Sequence, residues 1–274
     1  MTTLHFFPGT RFSLAKPRLP VALRLTLLLT TLALALTQVQ TQAQPQAQPQ
    51  AQTQASASAK PATRVALDVG HHHAAPGAIS ARGREEFQFN RILALRIAES
   101  LQQRQIAIQL IGAEGDQSRL SGRTAQAAGA GLFLSVHHDS VQPQLLQRWE
   151  HAGQTRLFSD QHAGFSLFVS RANPDVTGSL RCASAIGQAL RGAGFTPSLY
   201  HAEPIAGEFK PFADRENGVH YYDNLVVLKT ARQPALLLEA GVIVNRDEEL
   251  LLLMPAYQTR MAEAVADGLR ACLL

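Results

Sequence analysis

Three short apolar runs constrain the fold of this chain most strongly, because each leads into a side chain that can bind a metal or move a proton. The runs VALDV, LFLSV and ALLL are followed, directly or after one glycine, by His71, His137 and Glu239. Runs of four or five residues are too short for buried helices and are typical of buried strands. Because open α/β folds build their sites at the carboxyl ends of parallel strands, we expect the three side chains to lie close together.

The rest of the chain alternates between strand-like and helix-like segments from residue 64 to residue 274. The pattern predicts strands at 65–69, 106–111, 132–137, 165–170, 225–229 and 235–239, and helices at 85–103, 120–128, 179–191, after 245 and at 256–273. Two intervals, 140–162 and 194–222, are predicted to be irregular. The alternation predicts an α/β fold: one catalytic domain with a largely parallel central sheet of about six strands and helices on both faces.

Residues 1–43 have the pattern of a signal peptide. A basic region precedes a 12-residue apolar stretch at 25–36, and small residues at 41–43 offer a cleavage site. Twelve apolar residues are too few to span a bilayer, although an uncleaved membrane anchor remains the alternative. We therefore expect a periplasmic protein, secreted to the cell wall if the source lacks an outer membrane, with no stable membrane anchor after processing.

Composition separates a linker from the catalytic domain and argues against one class of partner. Residues 44–63 are rich in Gln, Ala and Pro, which predicts a disordered linker. The formal net charge of +4 equals the number of basic residues before residue 25, and no acidic residue precedes Asp68. The remainder is neutral, so no nucleic-acid partner is predicted. The two cysteines, Cys182 and Cys272, could pair in an oxidising compartment or be small buried residues.

The candidate site combines two histidines with two carboxylates. Zinc sites that hydrolyse bonds use three protein ligands and leave one position open. On the helix predicted at 85–103, Glu86 falls on the apolar face, so its carboxylate turns toward the sheet. His71, Glu86 and His137 would then bind the metal, and Glu239 would take a proton from water.

Each of these residues also has an ordinary structural interpretation. A histidine after a strand is often a loop residue. Glu86 could instead stabilise the helix by interacting with the positive end of the helix dipole at the N-terminus. Glu239 could be the buried partner of an arginine. If the ligand assignment fails, the neighbouring histidines His72, His73 and His138 are the natural substitutes.

An ordered set of short motifs makes the chain resemble a known family, the zinc-dependent N-acetylmuramoyl-L-alanine amidases of the amidase-3 type. The set consists of LDVGH at 67–71, Glu86 with Asn90, Arg123, LFLSVHHD at 132–139, NLVVL at 224–228, PALLLEAG at 234–241 and Asn245. The resemblance implies one Zn2+ per chain, held by His71, Glu86 and His137, with Glu239 as the catalytic glutamate. It also implies peptidoglycan as the substrate, cleaved at the amide between N-acetylmuramic acid and L-alanine.

The chain departs from the family pattern at several positions. His72 and His73 stand where glycines are usual, and Asp139 stands where asparagine is more usual, so these three side chains are candidates for substrate contact. The interval from His137 to Glu239 is long, and some relatives place there an inhibitory helix that an activator protein displaces.

Two further hypotheses remain open. Residues 194–222 could form a lid in which Glu203 or Glu208 occupies the position meant for water; a solvated loop is the alternative. The whole chain could instead be a catalytically silent protein that binds peptidoglycan or a division partner, or a zinc peptidase that cuts the stem peptide.

Overall fold

The computed structural model describes residues 64–273. The predicted signal peptide at 1–43 and the predicted linker at 44–63 lie outside these residues and stay predictions. Within residues 64–273 no helix combines the length and the apolar character needed to cross a membrane.

Nine strands and six helices alternate along the described chain. The strands are β1 (Val65–Val69), β2 (Ile108–Ile111), β3 (Leu132–Asp139), β4 (Gln147–His151), β5 (Gln154–Phe158), β6 (Ser166–Val169), β7 (Phe212–Asp214), β8 (Val219–Tyr221) and β9 (Ala235–Val242). The helices are α1 (Glu86–Gln103), α2 (Leu120–Gln126), α3 (Val176–Gly192), α4 (Val226–Thr230), α5 (Arg246–Leu252) and α6 (Pro255–Leu273).

Seven of the strands form one sheet in the order β2-β1-β3-β9-β6-β8-β7. Strands β2, β1, β3 and β9 run parallel, β6 runs antiparallel to β9, and β7 runs antiparallel to β8. The predicted α/β fold with a largely parallel sheet is confirmed, with seven strands instead of about six. Strand β1 lies beside β3, and β3 beside β9, so the three apolar runs that lead into His71, His137 and Glu239 are adjacent.

Successive residues of the central strands point to opposite faces, and each face is covered by helices. Leu134, Val136 and Leu238 face the larger core, which they share with residues of α1, α3 and α6. Phe133 and Leu237 face a smaller apolar cluster that includes residues of α4. Because both faces are buried, these strands read as continuous apolar runs without polar alternation.

A disulfide fixes two of the helices on the larger face. Cys182 of α3 and Cys272 of α6 are bonded, with their Cα atoms 5.1 Å apart. Of the two alternatives that the sequence left open for these cysteines, the structure therefore shows the pair.

The interval 140–162 was predicted to be irregular, and this prediction is wrong. The interval contains a β-hairpin. Strands β4 and β5 pair antiparallel around Ala152 and Gly153, whose φ angles of 50° and 74° suit a tight two-residue turn. The indole of Trp149 donates a hydrogen bond to the carbonyl of Ala81 at 3.0 Å, which ties the hairpin to the domain. The Ala-Gly pair is a weak turn signal, so the hairpin was missed.

Two other predicted elements were also wrong. The strand predicted at 225–229 is instead the N-cap and most of helix α4 (Val226–Thr230), because Val227 and Leu228 pack one face of this short helix against the smaller cluster. The interval 194–222 contributes β7 and β8 to the main sheet. By contrast, Asn245 caps α5 as its sequence context suggests, accepting hydrogen bonds from the backbone of Asp247 and Glu248.

Candidate metal centre

The three predicted ligands converge at the carboxyl ends of β1 and β3. His71 Nε2 lies 3.0 Å from Glu86 Oε2, and His137 Nδ1 lies 3.1 Å from Glu86 Oε1. One nitrogen or oxygen from each of the three side chains lies within 4.8 Å of the others. The structure therefore brings together Glu86 and His137, which are 51 positions apart in the sequence.

Arg123 of α2 holds the backbone that carries His71. This fully buried guanidinium donates hydrogen bonds to the carbonyls of Val69 and His71, and it pairs with Asp68 Oδ1 at 2.7 Å. His71 itself has a φ of 67°, in the left-handed region that few residues adopt without support. The arginine supplies that support by bonding the carbonyls on either side of the turn.

Two glycines leave room for the ligands. A Cβ atom on Gly77 would overlap the Glu86 carboxylate and the His71 ring, and a Cβ atom on Gly70 would overlap the His137 ring. The ligand side chains are therefore packed directly against backbone, and any larger residue at these two positions would displace them.

Glu86 is buried and fully hydrogen-bonded at the start of α1. Asn90 donates to Oε1 at 3.0 Å, and the backbone N–H of Ala78 donates to Oε2 at 3.0 Å. Burial alone would raise the pKa of Glu86, but hydrogen bonds with His137 and His71 outweigh it and hold the pKa well below its usual range. The group is thus an oriented carboxylate between two imidazoles.

This donor set fits zinc. Two imidazoles and one carboxylate are a ligand combination of catalytic zinc sites, which keep a fourth position for water or substrate. Asn90 orients the carboxylate from behind, the kind of outer contact that tunes such ligands. His138 does not belong to the set: its Nδ1 lies 2.8 Å from Asn90 Oδ1, and burial lowers its pKa to about 3.

Glu239 is the fourth group predicted for the site. It is in register with His137 across the parallel pair β3 and β9. Its Oε2 is buried and has no hydrogen-bond partner among residues 64–273. Burial, together with the negative charges of Asp139, Glu86 and Glu208, raises the pKa of Glu239 well above its usual range. A carboxyl group with a raised pKa beside a metal site is suited to general base chemistry.

A cavity of about 390 Å³ adjoins the two histidine ligands. His72 lines it, as do apolar side chains of α2 and the α4 region, among them Leu120, Leu225 and Val226. His73 points elsewhere and packs edge-on against Phe87, with ring centroids 5.0 Å apart. Of the two histidines predicted to contact substrate, the structure thus places His72 beside the candidate centre.

The remaining predicted residues lie outside the ligand group. Asp139 Oδ2 lies 2.8 Å from His201 Nε2, and Glu208 Oε2 lies 2.9 Å from His201 Nδ1. Glu203 is partly exposed and lies 4.0 Å from His162. None of these contacts involves a zinc-ligand candidate, and a regulatory role for Glu203 or Glu208 stays a prediction.

Sequence reasoning missed His201, which lies between two carboxylates that it did identify. Its neighbours Tyr200 and Lys210 are also buried. The signal available was a dense set of polar side chains in the segment YHAEPIAGEFK, which was interpreted as a lid or a solvated loop.

Comparisons with known proteins point to one family. The family described as N-acetylmuramoyl-L-alanine amidase, amidase-3 type, matches residues 65–271. The chain is 25% identical over 215 residues to the amidase AmiA of Escherichia coli, covering 74% of each protein.

Two solved structures illustrate the likeness in fold. The catalytic domain of CwlV from Bacillus (Paenibacillus) polymyxa is 25% identical, with a TM-score of 0.58 over 76% of this chain and 97% of that one. The CwlD amidase of Clostridioides difficile, solved in complex with the GerS lipoprotein, is 18% identical, with a TM-score of 0.56 over 77% and 98%. With the family match spanning nearly the whole described domain, the chain belongs to the amidase-3 family of N-acetylmuramoyl-L-alanine amidases.

Proposed function

We propose that this chain is a zinc-dependent peptidoglycan amidase that hydrolyses the bond between N-acetylmuramic acid and L-alanine, in cell-wall remodelling or cell separation. The observation that carries the proposal is the convergence of the His71, Glu86 and His137 ligand atoms within 4.8 Å. Glu239 lies on the adjacent strand, in register with one of these ligands. Three ligands with a spare carboxylate are the minimum set for metal-assisted hydrolysis of an amide.

The chain's own residues account for the proton movements of the reaction. When bound, zinc would polarise the scissile carbonyl and lower the pKa of a water molecule. Glu239 accepts the proton of the attacking water as the new C–O bond forms. It then delivers that proton to the alanine nitrogen as the C–N bond breaks. Asn90 and Arg123 hold Glu86 and His71 in place and take no part in proton transfer.

We also propose that the protein acts outside the cytoplasm, in the periplasm if the source has an outer membrane. The pattern of residues 1–43 supports export, and the bond between Cys182 and Cys272 supports an oxidising compartment. N-terminal sequencing of protein from the envelope should give a start near Gln44. An intact Met1 on a membrane-bound product would support the uncleaved anchor instead.

An activator protein is proposed as a further partner. Support comes from the structure of CwlD with the GerS lipoprotein, and from the family pattern of an inhibitory segment between the second histidine ligand and the catalytic glutamate. Addition of candidate envelope lipoproteins to the purified chain should raise its rate on isolated wall. A rate that no such protein changes would contradict this part of the proposal.

The metal assignment is tested with the purified full chain by elemental analysis and by muropeptide analysis of digested wall. We expect one zinc per chain, a strong loss of zinc in His71→Ala and His137→Ala, and release of intact stem peptides that begin with L-alanine. His73→Ala is the matched control and should keep its zinc, because His73 lies outside the ligand group.

Three outcomes would contradict the proposal. Unchanged zinc in either ligand variant would refute the ligand assignment. Binding of wall without release of stem peptide would favour a silent binder. Cleavage within the stem peptide would favour a zinc peptidase.

A further inference from the structure

His201 occupies an unusual position between two carboxylates. Its Nε2 lies 2.8 Å from Asp139 Oδ2, and its Nδ1 lies 2.9 Å from Glu208 Oε2. The residue is only 4% exposed, so water cannot substitute for either partner. Both ring nitrogens therefore face acidic groups, one at the end of β3 and one in the segment that follows His201. The Nδ1 contact with Glu208 is a hydrogen bond, whereas Nε2 and Asp139 Oδ2 form a close ion pair without hydrogen-bond geometry.

Glu208 is itself held from several sides. The side chain of Gln142 donates to its Oε1 at 2.6 Å, and the hydroxyl of Tyr200 donates to the same oxygen at 3.2 Å. Lys210 pairs with Oε2. A carboxylate with this many donors has one orientation, so it also fixes the orientation of the His201 ring.

The charges of the group balance. Asp139 from β3 and Glu208 are opposed by His201 and Lys210. Burial by itself lowers the pKa of His201, but the two carboxylates outweigh it and raise the pKa to about 9. Hydrogen bonds from His201, Gln142 and Lys210 likewise outweigh burial at Glu208 and lower its pKa to about 2.

The other titratable neighbours do not compete for His201. The ring of His220 is centred 5.7 Å from that of His201, and its Nδ1 bonds the carbonyl of Lys210 at 3.1 Å. Burial lowers the pKa of His220 to about 4, which leaves that ring neutral at pH 7. Burial raises the pKa of Tyr200 above its usual range, which keeps the phenol neutral.

We propose that His201 is a positioning residue of the active site, which fixes the carboxylate of Asp139 two residues beyond the ligand His137 and ties residues 199–210 to β3. Asp139 is a carboxylate, so its position needs a cation that a neutral residue would not require. Oδ1 of Asp139 already accepts a hydrogen bond from the backbone of Ser140, but the buried Oδ2 would lose its counter-charge without that cation, which is unfavourable.

The experiment is a double-mutant cycle in the full chain, and its activity readout rests on the proposed amidase function. His201→Gln should lower kcat/KM on isolated wall at least about tenfold and lower the unfolding midpoint, with zinc content unchanged. Adding Asp139→Asn should relieve most of both losses, to within about threefold of the Asp139→Asn rate, because a neutral amide needs no cation. This rescue separates positioning by charge from a general structural role.

His220→Gln is the matched control. It removes a second buried histidine from the same region, one that has no carboxylate contact among the described residues. Any loss that His220→Gln causes in kcat/KM or in the unfolding midpoint should be the same with and without Asp139→Asn. The assignment is wrong if His201→Gln lowers neither kcat/KM nor the unfolding midpoint. It is also wrong if Asp139→Asn restores no part of these losses.

A second measurement does not depend on how the variants fold or on activity. Nitrogen NMR of the wild-type imidazoles, with His201 assigned by through-bond correlation to its own backbone amide, should show both ring nitrogens protonated at pH 7.5. A neutral His201 ring would overturn the proposal. A wild-type chain that fails to cleave wall would refute the proposed function instead. The NMR signal and the double-mutant cycle in the unfolding midpoint would still test the role of His201.

Discussion

His137 and Glu239 lie side by side, in register on the neighbouring parallel strands β3 and β9. One is a zinc-ligand candidate, and the other is a carboxyl group whose buried Oε2 has no hydrogen-bond partner among residues 64–273. Because register fixes which residues are opposite each other, this pairing follows from the sheet and not from loop conformation.

Glu239→Gln separates catalysis from metal binding. The amide keeps the size of the side chain but cannot accept a proton, so we expect at least about a hundredfold loss in rate. Zinc content and binding to wall should be unchanged, because the three ligands remain. Single-turnover assays on isolated wall with parallel zinc analysis provide the measurement. A variant with the original rate would remove Glu239 from the mechanism.

Arg123→Gln should destabilise the protein strongly. The change leaves Asp68 buried without its cation and frees the carbonyls of Val69 and His71, so we expect a loss of about 3 kcal/mol or more in the free energy of unfolding. Urea unfolding measures the change. Arg119→Gln, at an exposed position one turn earlier, is the control and should have little effect.

Stability should depend on pH through the Glu208–His201 pair. The pKa of Glu208 is lowered from 4.5 to about 2, so its contribution is complete above pH 4.5 and is lost as the pH falls toward 2. The pKa of His201 is raised from 6.5 to about 9, so its contribution is complete below pH 6.5 and is lost as the pH rises through 9.

The alkaline part of this profile offers a specific check. Unfolding midpoints should decline between about pH 6.5 and 9 in the wild-type chain because of His201, and this component should be missing in His201→Gln. An identical alkaline decline in both proteins would contradict the assigned charge of His201.

Reduction of the disulfide should weaken the domain. The bond closes a loop between residues 90 positions apart, and the chain-entropy estimate for a loop of this length is about 4 to 5 kcal/mol. Urea unfolding with and without reductant gives the difference. The double variant Cys182→Ser and Cys272→Ser should match the reduced protein and should not respond to reductant. A stability that reductant leaves unchanged would show that the bond contributes nothing.

The sequence by itself determined the three central strands β1, β3 and β9, the principal helices and the candidate ligands. Buried strands must be apolar, so the runs before His71, His137 and Glu239 were visible as strands without any tertiary information. The 3.6-residue period of α1 placed Glu86 on the buried face in the same way, and the structure has it 4% exposed. These features depend on residues that are neighbours along the chain.

Only the tertiary structure decided the features that depend on distant partners. Residues 225–229 have a strand-like composition but form α4, because the cluster they cover accepts a helical turn. In the sequence, His201 is one polar residue among many. In the structure it lies between Glu208 and Asp139, because β3 brings Asp139, 62 positions earlier in the sequence, next to it. A buried charge is stable only beside its counter-charge, and sequence patterns record local periodicity but not which distant groups meet.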